Sequence, residues 1–155
     1  MPRFTTTIEI PSTPGAVFAY IVTPSNWSSF RGLGPLPGIA SARTLDGGAV
    51  TLHSRVRVTN TDGSEHDEIV RTFEPPRRYG VRIEPGAAAS RWMAFIDEDI
   101  ELEAAATGTR MIRRIAVRSR AWFTAPVVLL VVRMLLRPAI RRHDLAVARE
   151  LAARG

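Results

Sequence analysis

The chain has 155 residues, enough for one domain that buries about 68–70% of its unfolded surface without covalent staples. It holds no cysteine, which excludes disulfides and thiolate metal sites and fits a reducing cytoplasm. Its net charge of +6 is carried by arginine alone, since no lysine occurs, and the arginines are scattered. With no zinc-finger or helix-turn-helix spacing and no aromatic-interleaved basic motif, nucleic acid is not an expected partner.

The opening MPRFTTTIEIP has no apolar signal core, so no leader is expected and the cytoplasm is the expected compartment. Arg3–Ile10 alternates, with Phe4, Thr6, Ile8 and Ile10 on one side, and reads as a strand. Pro11–Pro14 breaks it. Ser12 or Thr13 can cap a short helix with Pro14 in its first turn and Val17, Phe18, Tyr20 and Ile21 on its buried side. Thr23-Pro24-Ser25 starts a second short helix bearing Trp27 and Phe30. Gly32–Gly38 (GLGPLPG) is a loop that could gate a cavity.

Hairpins follow. Ile39–Leu45 precedes a turn at Asp46-Gly47-Gly48. Ala49–Asn60 alternates, placing Val50, Leu52, Ser54, Val56 and Val58 on one face and His53, Arg55 and Arg57 on the other. Asp62-Gly63 turns the chain into Glu65–Glu74, closed by Pro75-Pro76. Arg78–Glu84 groups Tyr79, Val81 and Ile83. After a loop over Pro85–Ser90, Arg91–Glu103 and Thr109–Ser119 form the last hairpin. The final third is helical, from the wholly apolar Ala125–Val132 to a mixed stretch ending near Ala153. So apolar a helix calls for an apolar surface to lie against. It falls short of the about 18–20 apolar residues of a membrane span, because Arg133, Arg137 and Pro138 interrupt it. Apolar residues beside arginines also suit a membrane interface, so peripheral membrane contact stays open.

Seven strands, two short helices after the first and one long C-terminal helix define an α+β chain, taken as a single unit over residues 1–155. Several short segments carry a resemblance: Ile10–Pro14 with Val17–Ile21, Pro24 through Trp27, Phe73–Arg78, Gly108-Thr109-Arg110, and Asp144-Leu145 through Glu150-Leu151. With the element order they resemble the START-like (SRPBCC) superfamily, and within it the polyketide cyclase/dehydrase and lipid-transport branch. That resemblance implies a helix-grip fold, a curved antiparallel sheet around the long helix with an apolar cavity between them. It also implies a hydrophobic guest such as a lipid, polyketide or quinone.

Polar residues on the inner face bear most on chemistry, because an unpaired polar group in an apolar cavity is costly. Glu98 shares a face with Ile96, Ile100 and Leu102, and Arg113 with Met111, Ile115 and Val117. The turn between their strands sets the two opposite or diagonal, where they form a structural ion pair or orient a guest's carbonyl or carboxylate. A desolvated Glu98 could act as acid or base. His143 follows Leu136 and Ile140 at helical spacing and could shuttle protons, although Leu145, Ala148 and Ala152 mark a rival inward face. His53 and His66 are expected in solvent, and Trp92 and Trp122 in the core. His66, Asp67 and Glu68 alternate sides and make no metal site. No Walker, GxGxxG or Ser-His-Asp pattern occurs, so no cofactor is expected.

The expected cavity lining is therefore Trp27, Phe30, Leu52, Ser54, Val56, Tyr79, Val81, Glu98, Ile100, Met111, Arg113, Leu136, Ile140 and His143, with the Trp122–Leu136 stretch adding affinity. The expected function is binding of a small hydrophobic or aromatic molecule. The alternatives are a polyketide cyclase or dehydratase using cavity acid/base residues, and a peripheral membrane lipid carrier. A homodimer through an exposed apolar patch is a further expected partner arrangement.

Overall fold

The structure, a computed structural model, describes residues 1–155. Seven strands form one antiparallel sheet: β1 (Arg3–Ile10), β2 (Ile39–Thr44), β3 (Arg55–Asn60), β4 (Glu65–Glu74), β5 (Arg78–Glu84), β6 (Met93–Ala105) and β7 (Gly108–Ser119). Their order is β1-β7-β6-β5-β4-β3-β2, so the sequence neighbours β1 and β2 lie at opposite edges. Helix α1 (Pro14–Ile21) and a 3-10 turn over Pro24–Ser29 make that crossing. Thr13 caps α1, its hydroxyl accepting from the Ala16 N–H at 3.3 Å, and Pro14 stands where its missing N–H costs nothing. Register shifts in β2, β4 and β6 bend the sheet towards the helix it wraps.

Arg–carboxylate pairs cover the outer face of the sheet. Arg55 reaches Asp67 at 3.1 Å and Glu84 at 2.8 Å, Arg57 pairs with Asp67, and Arg82 holds Asp97 at 2.7 Å. Each exposed pair contributes little. Together they mark which side of each strand faces water, and the inner side is apolar.

The C-terminal helix runs from Trp122 to Arg154 in one rod. Within it, α2 (Ala125–Val131) and α3 (Arg137–Arg154) are joined by a π-helical turn over Val132–Leu136. Pro138 lacks an N–H, and its ring would crowd the carbonyl four residues back. The widened turn just ahead of it relieves that conflict, so the chain stays helical.

Two apolar clusters hold sheet and helices together. The larger joins α1 (Val17, Phe18), the sheet (Val56, Val58, Val70, Leu102, Met111) and the end of α3 (Val147, Leu151). The smaller joins Phe4, Ile115 and Val117 to Val128, Val132 and Ile140. Each fully buried aliphatic side chain contributes about 1.5–3 kcal/mol.

Three expectations fail. Ala49–Ser54 is not strand: Ser54 N donates to Thr51 O at 3.2 Å, and His53 sits at φ 69. Polar Thr and Ser side chains close this turn with local hydrogen bonds, Thr51 N donating to Ser54 Oγ at 2.9 Å, and override the alternation. Trp92 and Trp122 lie in solvent rather than in the core, at 47% and 87% exposure. The apolar start of the long helix is only half buried. Val128 and Val132 pack on the sheet, while Phe123, Leu130 and Met134 face outwards.

Gly108 opens β7 at φ 143, and a Cβ there would fall 2.3 Å from the Ile10 carbonyl oxygen. Its neighbour Thr109 is fully buried and donates to Ser12 O at 2.7 Å, so this corner clamps β1 to the last hairpin. We expect Gly108→Ala to lower unfolding stability by more than about 1 kcal/mol in urea titrations, through strain at positive φ and backbone overlap.

Candidate functional site

Between the two apolar clusters sheet and helix do not meet, and a cavity of about 340 Å³ is left. That volume falls at the small end of ligand pockets, about 300–1,000 Å³. Its wall is built from rungs of opposed residues: Glu68–Ile83–Ile96, Val81–Glu98–Ile115, and Tyr79–Ile100–Arg113, the last continuing to Thr6. Leu136, Ile140 and His143 close it from the helix, and Trp27 and Phe30 from the 3-10 turn and the residue after it. Trp27 is fixed by its indole N–H donating to Ile21 O at 2.9 Å. The Phe30 ring meets His143 edge-on at 5.6 Å.

The mouth lies among the Gly32–Gly38 loop, the β3–β4 turn and the Pro85–Ala89 segment. These rims are pinned to one another. Thr61 N donates to Gly38 O at 2.9 Å, and a Cβ on Gly86 would fall 2.2 Å from Glu65 O.

At the cavity floor a buried guanidinium sits between two carboxylates. Arg113 Nη1 bonds Glu98, which lies diagonal to it across β6 and β7, and Nη2 lies 2.8 Å from Asp144 Oδ1 on α3. Thr6 Oγ1 donates to the other Asp144 oxygen at 2.8 Å. Burial pulls the Arg113 charge down, but Asp144 and Glu98 outweigh it and hold the guanidinium above its ordinary value. Burial pushes the Glu98 carboxyl up more than Arg113 pulls it down, with Glu68 and Asp144 adding to the rise. Tyr79 is raised mainly by burial, with Glu68 and Glu98 adding, so its hydroxyl keeps its proton. Burial, then Arg113, drives His143 down to about 4, so its imidazole is neutral at neutral pH.

A second polar group stands nearer the mouth. Asn60 Nδ2 lies 3.2 Å from His66 Nδ1, and His66 Nε2 lies 3.2 Å from Glu68 Oε1. An amide nitrogen only donates, so Nδ1 accepts and Nε2 carries the proton towards Glu68.

Of the expected lining residues, Trp27, Phe30, Tyr79, Val81, Glu98, Ile100, Arg113, Leu136, Ile140 and His143 surround the cavity. Four do not. Leu52 is at the tip of the misread turn and 46% exposed, and Ser54 is spent on Thr51. Val56 and Met111 point inwards but are sealed in the apolar core. Of the Trp122–Leu136 stretch, only Leu136 reaches the cavity. On α3 the face through Ile140, His143 and Val147 turns inwards, and Leu145 is half exposed.

Sequence reasoning missed Asp144, Glu68 and His66. His66 is half-buried rather than solvated, and shares a strand face with Glu68. The available signals were Asp144 breaking the apolar series Ile140–Val147–Leu151, and the two-residue spacing of His66 and Glu68. No group of three or more His, Asp or Glu side chains is placed to hold a metal.

Three buried polar atoms on residues of this wall have no hydrogen-bond partner: the Tyr79 hydroxyl, His143 Nδ1 and Arg113 Nε. Arg113 commits both of its Nη atoms to acids, so its charge is already balanced by Glu98 and Asp144. The site as a whole is apolar, accepts hydrogen bonds at Glu68 and Glu98, and has no spare cation.

The comparisons agree with this architecture. The family model described as polyketide cyclase / dehydrase and lipid transport matches residues 1–152. Protein MLL2253 of Mesorhizobium loti is similar at a TM-score of 0.73 and 11% identity, with 99% of this chain and 98% of that one covered. The crystal structure of Ara h 8.0201 gives 0.71 and 14%, with 98% of both chains covered. A protein of Nitrosospira multiformis gives 0.69 and 14%, with 97% and 96% covered. No curated protein matches the sequence. The chain thus has the helix-grip fold of the START-like superfamily, typical of proteins that bind small hydrophobic or aromatic molecules between sheet and helix.

Two outcomes follow from the ion cluster. Arg113→Met strands two buried carboxylates and should cost about 3–5 kcal/mol at neutral pH. Adding Glu98→Gln and Asp144→Asn should recover most of that loss in denaturant titrations. His143 titrates near 6.5 when unfolded and about 4 when folded, so the unfolded chain binds the extra proton between these values. Its contribution is complete above pH 6.5 and is lost as pH falls to 4, by about 3 kcal/mol. Glu98, raised, works in the opposite sense, so we expect His143→Gln to flatten the acid-side slope of stability against pH relative to wild type.

Proposed function

Because the chain belongs to the polyketide cyclase / dehydrase and lipid-transport family, we propose that its cavity holds a small, uncharged, largely apolar molecule bearing a hydroxyl or carbonyl group. The single observation that carries the reading is a hollow with a largely apolar wall, unpartnered polar atoms on Tyr79, His143 and Arg113, and no cation without an acid beside it. Apolar contact with Ile83, Ile96, Ile100 and Leu136 supplies affinity. Tyr79, His143 and the carboxylates of Glu68 and Glu98 supply orientation, since a guest hydroxyl that pairs with a buried polar atom removes the cost of leaving it bare. A carboxylate guest meets the carboxylates of Glu68 and Glu98 and a single cation, Arg113, that two acids already balance. We also place the protein in the cytoplasm, a reading supported by a chain without cysteine.

A cyclase or dehydratase would use the same wall. Glu98, raised by burial beside the cavity, is the group that favours it. Its carboxyl would transfer the proton while Tyr79 donates to the polarised carbonyl. Peripheral membrane contact of a lipid carrier is a second reading, favoured by the exposed apolar start of the long helix.

The test is a matched aromatic pair, 1-naphthol and 1-naphthoate, titrated at neutral pH, with native mass spectrometry of the purified protein for any retained guest. We expect naphthol to bind at least tenfold tighter than naphthoate. Ile96→Trp, which fills the hollow, should abolish binding without unfolding the chain. Equal or tighter binding of naphthoate overturns the proposed guest class. No binding of either, with no retained guest, overturns the cavity reading itself.

A further inference from the structure

The outer side of the C-terminal helix carries a feature that the cavity does not use. Phe123, Val127, Leu130 and Met134 recur every three or four residues and form one stripe, at 67%, 42%, 61% and 63% exposure. Over its length the stripe spans about 16 Å of helix. Turning it inwards is not open to the helix, because Val128 and Val132 on its other side are buried against Phe4, Ile115 and Val117. Trp122 extends the stripe. Trp92 joins it, its carbonyl accepting from Thr124 Oγ1 at 3.1 Å. At the other end Leu135 faces Gly34 of the mouth loop, where an added Cβ would fall 4.0 Å from its Cδ2, so the patch runs up towards the rim of the cavity.

The charge around the stripe is one-sided. Arg133, Arg137 and Arg141 follow one another every four residues beside it, all exposed and none in an ion pair. Many of the sheet's outer arginines differ, since Arg55, Arg57, Arg78, Arg82 and Arg114 each hold a carboxylate, while Arg3, Arg43, Arg71 and Arg118 are unpaired there. No Asp or Glu lies between Glu103 and Asp144, so the helix that carries the apolar stripe has no acid of its own before Asp144 to offset these arginines.

We propose that this face docks on an anionic lipid bilayer. The stripe and the two tryptophans enter the boundary between headgroups and acyl chains, and the arginines rest on the lipid phosphates. An apolar helix face beside a cationic one is the arrangement that binds at such a boundary, and tryptophan favours that depth. Crossing the bilayer would require α2 to leave the sheet and carry Arg133 into hydrocarbon. A second copy is a poorer occupant: a twofold dimer through the same stripe brings two sets of unpaired arginines together. Docked this way, the protein sets the mouth rim at the membrane surface, where an apolar guest can pass without crossing water. The inference rests on the membrane-contact reading and not on which guest the cavity holds.

The test uses the full chain with vesicles of phosphatidylcholine alone or mixed with phosphatidylglycerol, read by co-sedimentation at low and high salt. Wild type should bind the anionic vesicles at least tenfold tighter than the neutral ones and release them in high salt. Leu130→Glu with Met134→Glu should abolish binding. Replacing Arg133, Arg137 and Arg141 with Gln should weaken it about a hundredfold. These positions are exposed, so the melting temperature and the naphthol titration should stay as in wild type. Absence of wild-type binding to anionic vesicles overturns the proposal, as does binding that both variants leave unchanged. So does a solution dimer, seen by light scattering, that the Leu130/Met134 variant dissolves while vesicles go unbound. A failed naphthol titration beside intact vesicle binding would sink the cavity reading alone.

Discussion

Arg113 is held between Glu98 and Asp144, and this one buried contact decides how sheet and helix sit. Removing three charges from water is expensive, and an apolar triad of the same volume would often be as stable or more so. What the ions supply here is a fixed separation. Hydrophobic attraction has no direction and closes any gap that side chains can fill. A point contact of defined geometry, placed between two apolar clusters, keeps α3 from settling onto the sheet at Glu98 and His143. Thr6 extends the contact to β1, so the edge strand, the hairpin β6–β7 and the helix are tied at one place. The hollow lies beside that tie, bounded by Tyr79 and Ile100 on the same rung of the sheet.

The same contact sets the polarity of the hollow. An arginine facing an apolar cavity would ordinarily recruit an acidic guest. With both Nη atoms held by Glu98 and Asp144, the Arg113 charge is already balanced, and Glu68 adds a further carboxylate to the wall. Burial raises Glu98 because its charge is only partly compensated. His143 stays neutral because burial, and then the Arg113 charge beside it, disfavour a second cation more than Asp144 favours one. Tyr79 and His143 are then left with polar atoms that nothing in the protein satisfies. A neutral, oxygen-bearing guest completes a hydrogen-bond inventory that the fold leaves open.

Most strands were legible because one of their faces meets water and the other does not. β1 follows its alternation to the residue, and β4 does so up to the register shift after Val70. The Glu98–Arg113 pairing was legible too, since a short turn fixes the register of two long strands. The loop at Ala49–Ser54 was not. Its alternating pattern matches a strand, and the outcome depends on Ser54 and His53 backbone preferences that alternation does not record. The partners Asp144 and Glu68 were hidden for another reason: they lie far along the chain from Arg113 and Glu98, and only the curvature of the sheet brings them near. Leu52, Val56 and Met111 show the limit of face assignment. A residue can point inwards and still meet core rather than cavity, because the boundary between them depends on where the helix stands.

The long helix shows how composition can be read correctly and its placement wrongly. Eight apolar residues from Ala125 to Val132 look the same whether they face a protein core or a lipid surface. The neighbouring charges carry the phase. Leu130 and Arg133 are three residues apart, as are Met134 and Arg137, and residues at that spacing share a face. An arginine with no acid within reach must lie in solvent, so its helical neighbours Leu130 and Met134 lie there as well. Val128 and Val132 then fall on the opposite side, where the sheet covers them. The π-helical turn at Val132–Leu136 moves this phase on by about one residue, from Val128 and Val132 to Ile140, Asp144, Val147 and Leu151. Beyond it Asp144 and Val147 point inwards while Arg141 and Leu145 point out. One helix therefore serves two surfaces, with the inner pinned by an ion cluster and the outer left uncovered beside unpaired cations.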